Sequence, residues 1–202
     1  MDANLKTLIE AGTAVIADVF DDTEHLPPVL DNALFSLNRT GINFIGPAYT
    51  ITGESHKWSG GGDRDKLKAI DDMEPGVVAL WAGKDILGVC CFGDLLAEAM
   101  KSRGIAGVVV DGGIRDVAYL RTMGLPMLTR YVTPAQAIGR WKVTAVQEPV
   151  QVRGALEDAV TVNPGDIIAV DDDGAIVIPA GMIEEVTLKV AEWAESESGA
   201  RD

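Results

Sequence analysis

The sequence is short of several residue types, and each shortage excludes something. Its 202 residues include two cysteines and two histidines. A disulfide framework needs more cysteines, and Cys90 and Cys91 are adjacent, so in a strand they point to opposite faces. They read as small apolar residues of a buried strand, which fits a reducing compartment. Aromatic residues make up 5% of the chain, and no aromatic-basic stripe marks a nucleic-acid surface. Basic residues number 17 against 31 acidic ones, for a net charge of −14. Such a chain does not neutralise a phosphate backbone, so no nucleic-acid partner is expected. It also repels anions on average, so an anionic substrate needs a local positive feature. No apolar run approaches the ~20 residues that span a bilayer, so no membrane partner is expected. "MDANLKTLIEAG" lacks the basic segment and apolar run of a signal peptide, which makes the cytoplasm the expected location.

What is present suffices for a core. Hydrophobic residues make up 47% and charged residues 24%, an ordinary globular balance that needs no metal or disulfide to fold. No repeat and no long Pro/Gly/Ser linker divides the chain, so a single domain over residues 1–202 is expected. One or two N-terminal helices, interrupted by Gly12, run to about Asp18–Asp21. "INFIGPAYTITG" reads as a strand bent at Gly46-Pro47. "SGGGDRDKLKAIDDMEPG" reads as a glycine-rich loop leading into a helix capped by Asp63 or Asp65. "VVALW", "ILGVCC", "AGVVV" and "LPMLTR" are short apolar strands. The last three are separated by the helices "GDLLAEAMKSRG" and "DVAYLRTMG". This alternation predicts an α/β layered domain with parallel strand pairs. The C-terminal third adds "PVQV", "VTV", "DIIAV" and "AIVIP", which predict a β-rich lid or second sheet, and then a closing amphipathic helix. "AIVIP" is apolar enough to suit a subunit interface.

Two stretches carry residue types that chemistry needs. "GDLL", Gly93 to Leu96, opens a helix. The first N–H groups of a helix lack intrahelical acceptors and carry partial positive charge, so a small carboxylate can sit there. The same residues also read as plain structure, with Asp94 an N-cap and both leucines core. In "VVVDGGIRD", Val108 to Asp116, a buried strand meets two glycines, an arginine and two acids. The glycines allow close approach of backbone to a ligand or a positive φ. Arg115 offers a planar fork for a carboxylate or enolate. Asp111 and Asp116 are hard oxygen ligands suited to Mg²⁺ or Mn²⁺. Alternatively, Asp116 caps the next helix and Arg115 is solvated. Both stretches lie where a strand hands over to a helix, one unit apart. In a parallel sheet such ends fall on one edge, so the two are expected to face a common cleft.

Other candidates are weaker. His25 and His56 have no ligand partner at helical spacing, and "SGGGD" lacks the Gly-Lys-Ser/Thr ending of a P-loop. "DDDG", Asp171 to Gly174, fits a hairpin turn or a cation site. Trp81, Trp141 and Trp193 read as packing residues; Trp58, in a polar loop, has no obvious role.

These residues resemble a known family. "GPAYTI", "FGDLLAEAMKSRGIAGVVVDGGIRDVAYLRTMGLPML", "NPGDIIAVDDDGAIVIP" and the closing helix are similar to the superfamily of 4-hydroxy-4-methyl-2-oxoglutarate/4-carboxy-4-hydroxy-2-oxoadipate aldolases. That superfamily, RraA-like, also contains the regulators of ribonuclease E activity. The resemblance implies an αββα-type layered sandwich with a mixed sheet, assembled as homotrimers or homohexamers. It implies a class II pyruvate aldolase acting on 4-hydroxy-2-oxo acids, with oxaloacetate decarboxylation as a second reaction. Mg²⁺ or Mn²⁺ is the implied cofactor, with Asp116 its protein ligand. Arg115 would contact the pyruvyl unit and stabilise enolate charge. The backbone N–H groups of Leu95 and Leu96 would hold the substrate carboxylate, with Gly93 also in the substrate-binding set. Asp94 would hold the metal's water and help to move protons. Glu184, Glu185 or the acids at 171–173 of a neighbouring subunit are candidates to complete the site. The regulator branch has Gln at the position of Asp116 and lacks "GDLL". It gives the alternative reading of a non-catalytic protein that binds a nuclease or helicase. The loop at 54–66 departs from the family pattern, where substrate selectivity could be set.

Overall fold

A computed structural model describes residues 2–37, 41–57, 59, 61–83, 86 and 88–200, with side chains through 193. In chain order, α1 (Ala3–Ala11) and α2 (Thr13–Asp22) precede β1 (Phe35–Ser36) and β2 (Phe44–Ser55). Then come α3 (Arg64–Asp71), β3 (Val78–Gly83), β4 (Cys90–Phe92), α4 (Asp94–Ser102), β5 (Gly107–Ile114), α5 (Val117–Met123) and β6 (Met127–Val132). β7 (Trp141–Val146), β8 (Val150–Val152), β9 (Val160–Val162), β10 (Ile167–Asp171), β11 (Gly174–Ile178) and α6 (Ile183–Ala200) complete the chain.

The sheet is mixed, in the order β1-β6-β5-β3-β2-β10-β11, with β4 on β5 and β7 on β2. The pairs β2–β3, β3–β5, β4–β5 and β5–β6 are parallel, as the strand–helix alternation predicts. β2 is the seam of this sheet. Residues Phe44 to Pro47 pair antiparallel with β10, and Ala48 to Gly53 pair parallel with β3. The strand therefore does not break at Gly46-Pro47; it changes partners there. Gly46 is required for packing, because a Cβ would fall 2.1 Å from the Gly76 carbonyl.

Side-chain alternation sorts three cores. Phe44 and Ala48 of β2, Leu80 of β3, Val109 of β5, Leu128 of β6 and Val177 of β11 share one interior cluster. Strands from both ends of the order meet there, so the sheet curls over its own inner face. Tyr49, Trp81, Val108 and Val110 point outward into a core with α3, α4 and α5. Ile45, Ile167 and Ile176 point outward under α1, α2 and α6. The result is helix, sheet, sheet, helix, as the family resemblance implies.

Several local expectations are corrected. Among the described residues of "ILGVCC", only Cys90 and Cys91 are strand, in β4, which runs on to Phe92; Gly88 before them adopts φ 75°, a conformation that does not continue an extended run. β10 and β11 join the main sheet, and only β8 and β9 form a separate ladder. The side chains of "AIVIP" from Ala175 to Ile178 are buried within the chain, so they are core and not an exposed interface. "DDDG" is the β10–β11 hairpin turn. Asp171 accepts from the Thr13 N–H and hydroxyl, and Asp172 from the N–H groups of Gly41 and Ile42. Trp58 lies outside the described residues.

The largest correction concerns "VVVDGGIRD". β5 does not end at Val110; it continues through a bulge to Ile114, so both glycines are strand residues. Neither clears space for a ligand. A Cβ at Gly113 would fall 2.3 Å from the Tyr131 ring, and one at Gly112 would fall 2.7 Å from Ile86. We expect Gly113→Ala to destabilise the fold by roughly 1–3 kcal/mol through overpacking, read as a lowered denaturation midpoint in urea.

Candidate active site

β4 and β5 end side by side. Cys90 pairs with Gly113 and Phe92 with Ile114, both parallel, and the Arg115 N–H donates to the Phe92 carbonyl at 3.3 Å. The residues that follow each strand are therefore neighbours: Gly93 and α4 on one side, Arg115 and Asp116 on the other. This is the common cleft expected from the sequence.

Asp116 sits at the N-cap position of α5, but its side chain makes no capping bond. Its backbone is left-handed, with φ 60° and ψ 34°. For a residue other than glycine that conformation costs roughly 1–3 kcal/mol. Its Oδ2 instead accepts from the Asp94 N–H at 3.2 Å. The Arg115 Nε lies 3.3 Å from the same oxygen, without the alignment of a hydrogen bond. Gly93 makes this possible: a Cβ there would fall 2.1 Å from Asp116 Oδ2 and 3.0 Å from the Arg115 side chain. So Gly93 belongs to the site through the side chain it lacks.

Asp94 is not the cap of α4; Gly93 is, and Asp94 is the first helical residue. Its Oδ1 accepts from the Leu95 N–H at 2.7 Å. A carboxylate of the protein thus occupies a donor where an external carboxylate was expected. Leu95 is 81% exposed, which overturns the reading of both leucines as core; Leu96 is half-buried against the core beside α4.

A cavity of about 220 Å³ opens beside this helix start. Arg115, Asp94, Leu96, Phe92, Trp141 and Lys66 line it. Arg115 also borders a shallower neighbouring cavity, and Asp116 opens onto that second one. Asp111 is elsewhere: with Asp31 it forms ion pairs to Arg130, so it is no ligand at this site. Asp116 lies beyond the end of β5, at the α5 N-cap in a left-handed conformation, so the two acids are set by different backbone. His25 and His56 line neither cavity.

Lys66 is a functional candidate that the sequence reading passed over. On α3 it shares the buried stripe with Ala69 and Ile70, a spacing that normally carries apolar side chains. Its ammonium donates to the Cys91 carbonyl at 2.6 Å and lies 5.2 Å and 5.9 Å from the ring centres of Trp141 and Trp81. Burial pushes its pKa below the ordinary lysine value, and Arg115 adds a smaller push in the same direction. Trp141 can lie flat there because Gly53 has no Cβ to meet its ring, 2.3 Å away. Burial raises the pKa of the Cys90 thiol and pushes that of Cys91 up to about 12, so both remain protonated and inert, as small apolar residues.

The donor set fits the implied divalent ion. Among the described residues no group of three or more His, Cys, Asp or Glu side chains gathers. Asp116 and Asp94 supply one or two carboxylates, which is how Mg²⁺ is commonly bound, with water filling its other positions.

The lowered pKa of Lys66 has a consequence for stability. A base whose folded pKa lies below its unfolded value leaves the unfolded state holding more protons, so stability rises as pH climbs toward the unfolded value. Lys66→Met removes the buried charge. We expect it to raise the melting temperature at pH 7, by a margin that narrows as pH approaches the ordinary lysine value of 10.5.

The chain is similar to several known proteins. The chain matches the family described as RraA-like, Aldolase/RraA, over residues 13–177. It is 31% identical over 190 residues to the "Putative 4-hydroxy-4-methyl-2-oxoglutarate aldolase" of Halalkalibacterium halodurans, covering 94% of this chain and 82% of that protein. It is 30% identical over 187 residues to protein DlpA of Legionella pneumophila, covering 92% of this chain but only 29% of DlpA. In three dimensions it superposes on Streptomyces coelicolor RraAS2, described as an unusual member of the RNase ES inhibitor RraA protein family. The TM-score is 0.82 at 24% identity, over 100% of this chain and 97% of that one. That last likeness bears on the fold alone. On sequence and architecture together, the chain belongs to the RraA-like family.

Proposed function

We propose that the protein is a divalent-metal-dependent carbon–carbon lyase that cleaves 4-hydroxy-2-oxo acids to pyruvate by retro-aldol reaction. The observation that carries this reading is Asp116. It is held in a strained conformation, performs no capping role, and stands between the start of α4 and Arg115. Strain of this kind collects where a side chain must be aimed.

The roles follow from position. The first N–H groups of α4, at Leu95 and Leu96, receive the substrate carboxylate and displace the Asp94 side chain from Leu95. Asp94 is then free beside the ligand to take the proton of the C4 hydroxyl. The C3–C4 bond breaks, leaving a carbonyl product and the enolate of pyruvate, which is protonated at C3. Arg115 stabilises the negative charge that develops on the enolate oxygen, by the same logic as a preorganised oxyanion site. Asp116 would hold Mg²⁺ or Mn²⁺, which when bound polarises the 2-oxo group as a Lewis acid. Oxaloacetate decarboxylation needs the same enolate stabilisation and is the second activity of this reading.

The test is pyruvate release from a panel of 4-hydroxy-2-oxo acids and oxaloacetate, with and without Mg²⁺. We expect metal-dependent release that Asp116→Ala abolishes. No release from any substrate overturns the lyase and leaves the regulator-type binding protein as the reading. Gly93→Ala tests the geometry: pushing the Asp116 carboxylate aside should lower kcat/KM by about 100-fold, the effect of a misplacement near 1 Å, while the fold persists.

A further inference from the structure

Neighbouring positions of α3 invert the usual placement of residue types. Lys66 is 7% exposed and Leu67 is 53% exposed, although the other outward positions of this helix, Arg64, Asp65, Lys68 and Asp71, are all charged. A single exposed leucine needs no explanation, but Leu67 is not alone. Leu95 on α4 is 81% exposed and Ile138, ahead of β7, is 46% exposed. All three line the cavity beside the start of α4. Three separate elements thus bring one large apolar side chain each to the rim of the same cavity. Leu96, Phe92 and Trp141 continue the apolar wall inward. The polar groups of the far side are engaged with the protein itself. Asp63 accepts at Oδ1 from the N–H groups of Asp65 and Lys66, and at Oδ2 from the Val143 N–H. The Lys66 ammonium donates to the Cys91 carbonyl. Burial lowers the Lys66 pKa and nearby Asp63 opposes that shift, so charges of opposite sign offset each other at this end. The Gln136 side chain, also on the cavity lining, is exposed.

We infer that the site selects 2-oxo acids whose carbon chain is apolar beyond the reacting atoms, with Leu67 and Ile138 as the specificity-determining residues. The inference rests on the reading that the ligand carboxylate sits at the start of α4, where Asp94 and Arg115 attend to the head of the molecule. The remainder of the ligand then runs along the apolar wall toward the rim. An apolar tail takes the exposed faces of Leu67 and Ile138 out of water, which is favourable in proportion to the area covered. A chain ending in a second carboxylate sets a charge against those side chains and beside Asp63, at a desolvation cost with no free cation to offset it. In the cleavage proposed above, the apolar tail leaves with the carbonyl product and pyruvate carries the head.

Calorimetric titration with 2-oxobutanoate, 2-oxohexanoate and 2-oxoadipate, in the presence of Mg²⁺, tests this. None of the three has a 4-hydroxyl to cleave, so the result does not depend on turnover, and a failure of the lyase reading would appear only in the pyruvate assay. Wild type should bind 2-oxohexanoate about tenfold more tightly than 2-oxobutanoate, since each buried methylene is worth about fourfold. It should bind 2-oxoadipate, of the same chain length but ending in a carboxylate, no more tightly than 2-oxobutanoate. The double variant Leu67→Ser, Ile138→Ser alters two exposed side chains and leaves the core untouched. It should reduce the tenfold gain to about twofold or less. Equal affinities for the two monocarboxylates in wild type, 2-oxoadipate binding as tightly as 2-oxohexanoate, no binding of any of the three, or a gain that survives in the variant would each overturn the inference. Equal affinities together with a lower mass of the variant in light scattering would instead assign the apolar rim to contact between copies of this chain.

Discussion

The parallel pairing of β4 with the far half of β5 is the contact on which the site depends. It is short: Cys90 meets Gly113, and Phe92 meets Ile114. Everything chemical lies within the next few residues of the two strands. Once the ends are aligned, α4 must point its first N–H groups into the same cleft that Arg115 and Asp116 enter. The glycines of this region secure the alignment rather than the ligand. Gly112 and Gly113 let Ile86 and Tyr131 close onto β5, and Gly93 lets the Asp116 carboxylate reach the start of α4. Tyr131 in turn donates to the carbonyls of Ile86 and Val89, just ahead of β4. The site is assembled by backbone proximity, with side chains trimmed wherever they would hold two strands apart.

Charge follows the same design. The chain is strongly acidic, yet the cavity gathers a helix start, a guanidinium and a buried ammonium. The carboxylates nearby are turned to particular donors: Asp94 to Leu95, Asp63 to α3 and β7, Asp116 to the Asp94 N–H. Local donors thereby outweigh a repulsive average field, which is the condition the composition sets for binding an anion.

Much of this was legible from the sequence because it rests on rules local to a strand–helix unit. "GDLL" and "IRD" each follow an apolar run, and parallel topology brings such ends together. The core strands were legible too, as the short apolar runs of β3, β5 and β10, although which of the cores each side chain enters was not. What escaped was set by tertiary contact. Asp-Gly-Gly looks like a turn, and only the ring of Tyr131 explains why glycines continue a strand. Asp111 and Asp116 look equivalent as ligands, but Asp111 stays in the strand and meets Arg130, while Asp116 lies past the strand end, where a left-handed backbone turns it to the cleft. β7 was missed because Trp141 marked packing without marking a strand. Lys66 could have been found: positions 66, 69, 70 and 73 form a helical stripe, and a lysine among Ala, Ile and Met is the one residue that breaks it.

The seam at β2 has a consequence for the order in which the molecule is made. Its second half pairs with β3, and through β3 with β5, all within the first 114 residues. Its first half must wait for β10, 120 or more positions downstream. On a ribosome, the layer carrying the cleft can form while the strands that close the opposite side have not yet been synthesised. Until they arrive, Phe44 to Pro47 present an unpaired, largely apolar strand edge, the kind of surface that recruits other chains. Folding of this protein is therefore most exposed to misassembly late, after its chemistry-bearing half is already in place.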